Sequence, residues 1–243
     1  MEVLGIDIGG TGIKGALVDT DSGEMLTERY RLLTPRPATP QAMITTIAEI
    51  VKQFRWQGPV GCGFPGVVKD GVAYTASNLA KEWIGFNLKS SLGKLTGCDV
   101  AVLNDADAAG LAEIQFGAGR GRDDVVLVIT LGTGIGTALF VGNQLVPNLE
   151  LGHIEVGGKE AEKMTAGIVR EQAKLSWKKW GKRVNRYLIA MEKLLWPDLI
   201  VVGGGVSKSH EKFFHYFTTR TPVVPAEMLN QAGIVGAALG AAK

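Results

Sequence analysis

Ile6-Asp7-Ile8-Gly9-Gly10-Thr11-Gly12-Ile13-Lys14-Gly15-Ala16-Leu17 reads as an apolar strand, a tight Gly/Thr turn and a second apolar strand. The same pattern returns at Ile129-Thr130-Leu131-Gly132-Thr133-Gly134-Ile135-Gly136-Thr137-Ala138-Leu139. With one gap at Gly10 the two runs align almost position for position. Glycines in such a turn let the backbone approach a ligand closely and aim several N–H groups at one point, a geometry that holds phosphate. Two copies predict two facing domains that grip a phosphate chain between them.

Working outward, the spacing predicts a three-stranded meander over residues 3–33, with Asp19-Thr20-Asp21-Ser22-Gly23 as a turn leading to a third strand at Met25–Leu33. Helical spacing follows at Ala42–Phe54, with Met43, Ile47, Ile50 and Phe54 on one face. Val60–Phe64, Val100–Leu103, Val125–Leu131, Ile135–Val141 and Leu199–Val202 read as strands. Ala106–Gln115 reads as a helix after Asn104-Asp105, and residues 233–242 as a small-residue terminal helix. This is an α/β fold in two halves, expected as a small domain of residues 1–107 plus 230–243 and a larger one of residues 108–229. No low-complexity linker separates them, which suggests a hinged cleft.

Composition excludes several classes. The 243 residues carry 46% hydrophobic and 21% charged side chains with a net charge of +2, ordinary for a soluble globular protein. Cys62 and Cys98 are too few for a disulfide framework or a cysteine-based zinc site, which suits a reducing compartment. The N-terminus enters a strand at once and no apolar run approaches 18 residues, so the expectation is a cytoplasmic protein without a membrane partner.

Two glycine patterns need care. Gly10-Thr11-Gly12-Ile13-Lys14-Gly15 matches the dinucleotide fingerprint, but that motif opens a helix and here a strand follows. Gly61-Cys62-Gly63-Phe64-Pro65-Gly66 matches it too, which shows how weak the pattern is alone. No Walker-type phosphate loop is present.

Asp7-Ile8-Gly9-Gly10-Thr11, Asn104-Asp105-Ala106, Leu131-Gly132-Thr133-Gly134-Ile135-Gly136 and Gly152-His153 come in that order and closely resemble the ROK family of sugar kinases. Gly63–Val68, Asn104–Gly110, Glu150–Glu155 and Leu175–Trp180 resemble the branch of that family that takes inorganic polyphosphate as donor. The resemblance implies a duplicated actin-like (ribonuclease-H-like) fold with two domains around a cleft. It further implies transfer of a terminal phosphoryl group from polyphosphate, with ATP as an additional donor, to the 6-hydroxyl of glucose. A strictly ATP-dependent hexokinase and, more distantly, a non-catalytic sugar-binding member stay open as alternatives.

The resemblance also assigns roles. Asp105 is the base candidate, although an aspartate before a helix can equally cap it. Asp107, two residues on, suits the first helical turn instead. Asn78, Asn104, Asp105, Glu150, His153 and Glu162 are the implied sugar ligands, with Glu160 the alternative to Glu162. Many members hold zinc with three cysteines and this histidine. No cysteine follows Cys98, so that structural zinc is not expected, and something other than a metal must orient His153. Asp7 is expected to order Mg²⁺ through water. Gly9, Gly10, Thr11, Lys14, Gly132, Thr133, Gly134 and the turn Gly203-Gly204-Gly205 are expected at the donor phosphates. The family also implies a homodimer.

Residues 169–195 carry a second signal. Ala173, Trp177, Trp180, Val184, Leu188, Met191 and Leu195 recur at helical spacing, and Arg170, Lys174, Lys178, Lys182 and Arg186 recur every four residues, with Lys179 and Arg183 beside them. On one helix the stripe would run about 24 Å and offer a polyanion a track. It could equally be a solvated face. No nucleic-acid recognition module accompanies it, so nucleic acid is not an expected partner.

Overall fold

The computed structural model describes residues 1–76 and 79–242. By its internal contacts the chain forms two units, Met1–Ala112 with Gln231–Lys243, and Glu113–Asn230. Among the described residues no helix is long and apolar enough to cross a membrane.

The first unit begins with β1 (Glu2–Ile8), β2 (Gly12–Asp19) and β3 (Tyr30–Leu33), then α1 (Pro40–Gln53), β4 (Val60–Phe64), a short hairpin β5 (Val68–Lys69) and β6 (Val72–Ala73), α2 (Leu88–Thr96) and β7 (Val100–Asn104). Its sheet has the order β3-β2-β1-β4-β7. The first three strands are antiparallel, and β4 and β7 run parallel to β1. Leu4, Ile6 and Ile8 alternate into a core with Met43, Ile47, Ile50, Phe64 and Trp83. The third strand is shorter than its sequence suggests, since residues 24–29 contribute only one bridge, Met25 to Val18.

Helix α3 (Asp105–Phe116) leads into the second unit, where β8 (Val125–Leu131), β9 (Ile135–Val141) and β10 (Gln144–Val146) are followed by a helical turn α4 (Glu162–Thr165), α5 (Gly167–Gln172), α6 (Trp177–Leu195), β11 (Leu199–Gly203) and β12 (Val223–Pro225). This sheet has the order β10-β9-β8-β11-β12, again antiparallel across its first three strands and parallel across β8, β11 and β12. The two sheets therefore repeat one topology strand for strand, and the two glycine runs are the equivalent first hairpins. Glu113, only 1% exposed, accepts the backbone N–H groups of Ala118, Glu227 and Met228 at 3.0, 3.1 and 2.8 Å, so three loop amides satisfy a carboxylate whose burial would otherwise be costly.

Helix α7 (Ala232–Ala241) returns to the first unit and lies against β1 and β4. Its small residues have a packing reason. A Cβ on Gly61 would run into the Ala237 carbonyl, and one on Gly236 into that of Ala108. The misleading glycine pattern at Gly61 is thus a helix–sheet contact.

The stretch predicted as one helix over residues 169–195 is broken. Residues 173–176 separate α5 from α6, Lys174 adopts φ +47°, and Ser176 caps α6 by accepting the N–H of Lys179. Ala173, expected on the apolar face, is exposed in that break. The face that is buried consists of Trp180, Val184, Tyr187, Leu188 and Met191.

Candidate active site

In the first unit the turn after β1 closes with Gly9 N–H to Gly12 C=O at 3.1 Å. Thr34, nearly buried, donates to the Gly9 carbonyl, and Arg31 donates to the Thr11 carbonyl at 3.3 Å. Cross-strand register puts Asp7 opposite Lys14 and Lys14 opposite Arg31, so three charged residues share one sheet face beside the turn. Lys14 Nζ lies 3.1 Å from Asp7 Oδ2, an ion pair beside the turn. Arg31 escaped the sequence reading, because its relation to the turn depends on the pairing of β3.

Asn104, the last residue of β7, is 5% exposed. Its Oδ1 accepts the N–H groups of Ala106 and Asp107 at 2.8 and 3.1 Å, and its Nδ2 donates to the Gly66 carbonyl at 3.1 Å. Asn104 is therefore the cap of α3, the role that position alone also allowed for Asp105. Asp105 opens the helix half-buried, while Asp107 in the same turn is 1% exposed. Of the two carboxylates, Asp105 is the more accessible to solvent. Asn78 lies outside the described residues.

In the second unit the equivalent turn closes with Gly132 N–H to Gly134 C=O at 3.0 Å. Glu162 Oε2 accepts the N–H of Ile135 at 2.8 Å, fixing that carboxylate against the turn. Buried Thr137 donates to the Leu149 carbonyl at 2.8 Å and accepts the Leu151 N–H at 3.2 Å, which anchors the segment bearing Glu150. Thr137 gave no sequence signal beyond its place in the repeated glycine run. His153 Nδ1 lies 2.6 Å from Glu160 Oε1, and its Nε2 lies 3.6 Å from Glu150 Oε2. Glu160 orients the histidine, and Glu162 is the carboxylate on the glycine turn.

The electrostatics follow from these contacts. The hydrogen bond to Glu160 raises the His153 imidazole above its ordinary value, against an opposing effect of burial. Lys163, with Nζ 2.5 Å from Glu160 Oε2, and then His153 hold Glu160 below the usual carboxylate range. Burial pushes Glu150 up, and Glu162 adds to the rise. Ligand atoms of His153, Glu160 and Glu162 lie within 4.8 Å of one another, near enough to share a cation, and the Lys163 ammonium already supplies positive charge there. Asp7 offers a single carboxylate already shared with Lys14, a donor set that suits Mg²⁺ held through its waters better than a stripped ion.

Gly203 ends β11, and Gly204 leads into a 3₁₀ segment, Gly205–Lys212. Gly132, Thr133 and Gly205 line one cavity of about 350 Å³ together with Arg170 and Trp177. The basic residues do not form one track. Lys178, Lys179, Lys182 and Arg186 are exposed along about 12 Å of α6. Arg183 points back to the Met164 carbonyl at 3.4 Å, Lys174 sits in the break, and Arg170 belongs to α5.

The ROK family model matches residues 3–167. The chain belongs to the ROK family. As a ROK protein it is 52% identical over 237 residues to polyphosphate glucokinase of Mycobacterium tuberculosis, covering 97% of this chain and 89% of that one. Its structure matches inorganic polyphosphate/ATP-glucomannokinase from Arthrobacter sp. strain KM with a TM-score of 0.95 at 45% identity, over 99% and 98% of the two chains. A ROK family glucokinase from Streptomyces griseus, solved in complex with glucose and AMPPNP, matches with a TM-score of 0.83 at 26% identity over 98% of each chain. The repeated sheet topology is thus that of the actin-like, ribonuclease-H-like fold of these sugar kinases.

Proposed function

We infer that this ROK protein is a glucokinase that takes its phosphoryl group from inorganic polyphosphate and also from ATP, giving glucose 6-phosphate. The observation that carries this reading is the 52% identity to a polyphosphate glucokinase along 97% of the chain. The residue chemistry supports it. Phosphoryl transfer asks for a base, positioning, and a cradle for the donor's charge.

Asp105 serves as the base, half-buried at the start of α3 and presented by the Asn104 cap. Glu150, His153 and Glu162 serve as sugar ligands, His153 being oriented by Glu160. In the reaction the 6-hydroxyl oxygen bonds to the terminal phosphorus as the bridging P–O bond breaks. Asp105 takes the hydroxyl proton, and the donor leaves one phosphate shorter. The turns Gly9–Thr11 and Gly132–Gly134 meet the donor, and exposed Lys178, Lys179, Lys182 and Arg186 attract its polymer. Mg²⁺, associated with Asp7 through water, would neutralise donor charge. A homodimer is the proposed assembly, to be checked by sedimentation.

The test is glucose 6-phosphate formation by the purified protein with polyphosphate or ATP. Product with both donors is expected. Product with ATP alone would assign a strictly nucleotide-dependent kinase, and glucose binding without product from either donor would overturn the enzymatic reading.

A further inference from the structure

Arg170 does not behave as a member of a solvated stripe. Its guanidinium lies 3.9 Å over the Trp177 ring, and its Nε is buried without a hydrogen-bond partner. Arg170 forms no ion pair among the described residues, unlike Arg122 and Arg220. A buried guanidinium N–H with no acceptor from its own chain is costly unless an incoming anion completes it. Glu171 also lines the cavity, but its side chain is exposed and forms no ion pair with Arg170 among the described residues.

Two of the three glycines facing the same cavity point the same way, while Gly167 is packed against Val206 and the Leu131 carbonyl. A Cβ on Gly132 or Gly205 would meet nothing within 4 Å, and neither residue has a positive φ. Neither backbone conformation nor packing within the protein requires glycine there. The space is left open to something else, beside a cation. That chemistry suits phosphate.

Trp177 shows what the cavity does not suit. Phe213 stacks nearly parallel to it, with ring centroids 5.6 Å apart and planes inclined by 11°, and Trp180 meets it edge-on at 5.8 Å. Arg170 covers the π-surface that a purine base would use. A nucleobase could stack there only by displacing the guanidinium, whereas a phosphate would bind the guanidinium where it stands.

We propose that Arg170, stacked on Trp177, is the donor-specificity residue of this chain. It binds a phosphate unit of linear polyphosphate in the Gly132–Thr133–Gly205 cavity and denies the indole face to a nucleobase. The inference rests on the polyphosphate reading above.

The experiment compares wild type, Arg170→Ala and Arg170→Lys with polyphosphate and with ATP, and measures glucose binding by calorimetry to establish that each variant is folded. Losing a charge-assisted contact should raise the polyphosphate KM about tenfold to a hundredfold. The ratio of kcat/KM for polyphosphate to that for ATP should fall at least as far as the KM rises, while glucose affinity is kept. Arg170→Lys, which keeps the charge but not the planar stack, should lower the ratio to a value between wild type and Arg170→Ala. A wild type that makes no product from polyphosphate would overturn the donor reading itself. A wild type that uses polyphosphate, with a ratio unchanged in both variants, would overturn the assignment of Arg170 and leave the donor reading standing.

Discussion

His153 Nδ1 lies 2.6 Å from Glu160 Oε1, and Glu160 in turn is held by Lys163 through its other oxygen at 2.5 Å. The histidine owes its orientation and its charge preference to a residue seven positions away that the sugar-ligand pattern left as a mere alternative. His153 is raised above its ordinary 6.5, so its share of stability is complete below that value and fades as pH rises through the raised one. Glu160 is lowered from 4.5, so its share is present above that value and fades as pH falls through the depressed one. Replacing Glu160 by Gln should move the His153 titration down toward 6.5, read by NMR of the imidazole protons. A titration that stays where it was would show that Glu160 does not set it.

Replacing Asp105 by Asn should cut turnover by about 10²- to 10⁴-fold, the usual span for a lost general base. Glucose affinity, measured by calorimetry, should change little, because several other side chains are proposed to hold the sugar and Asn keeps the size and polarity of Asp105. Unchanged turnover would remove Asp105 from the chemistry.

Gly204 and Gly205 are neighbours with opposite expected behaviour. Gly204 has φ +84°, and a Cβ there would come within 2.5 Å of the Leu131 carbonyl oxygen. Gly204→Ala should cost about 1–3 kcal/mol in thermal unfolding. Gly205→Ala, with open space around the added carbon, should stay within about 0.5 kcal/mol of wild type yet raise the donor KM. Equal stability losses in the two variants would contradict this contrast.

Neutralising Lys178, Lys179 and Lys182 together should weaken polyphosphate use more than ATP use, with the gap narrowing as salt is added. The effect should be smaller than a continuous 24 Å track would give, because the exposed stripe on α6 spans only about half that length. Equal losses with both donors at every salt concentration would exclude a polymer-binding role.

Much of the fold was legible in the chain. The repeated apolar–Gly–apolar runs became hairpins β1–β2 and β8–β9, and Val60–Phe64 formed β4 as its apolar run suggested. The helix break at residues 173–176 was not legible, since the fourfold spacing of basic residues continues through it. What breaks the helix is local, the Ser176 cap and the left-handed Lys174. The capping of α3 went to Asn104 over Asp105, a choice that depends on the Gly66 carbonyl, which lies 38 residues away in sequence.

By itself the sequence determined the duplication, the positions of the glycine turns and the family, because strand periodicity and turn chemistry are local and repeat in register. Only the tertiary structure decided which polar atoms meet. It paired Asp7 with Lys14, made Glu160 the partner of His153, and withdrew Arg170 from a surface stripe to stack it on Trp177. The members of each pair stand only seven residues apart, yet it is the hairpin register, the fold of the loop after His153 and the break between α5 and α6 that bring them into contact, and spacing alone does not encode those turns.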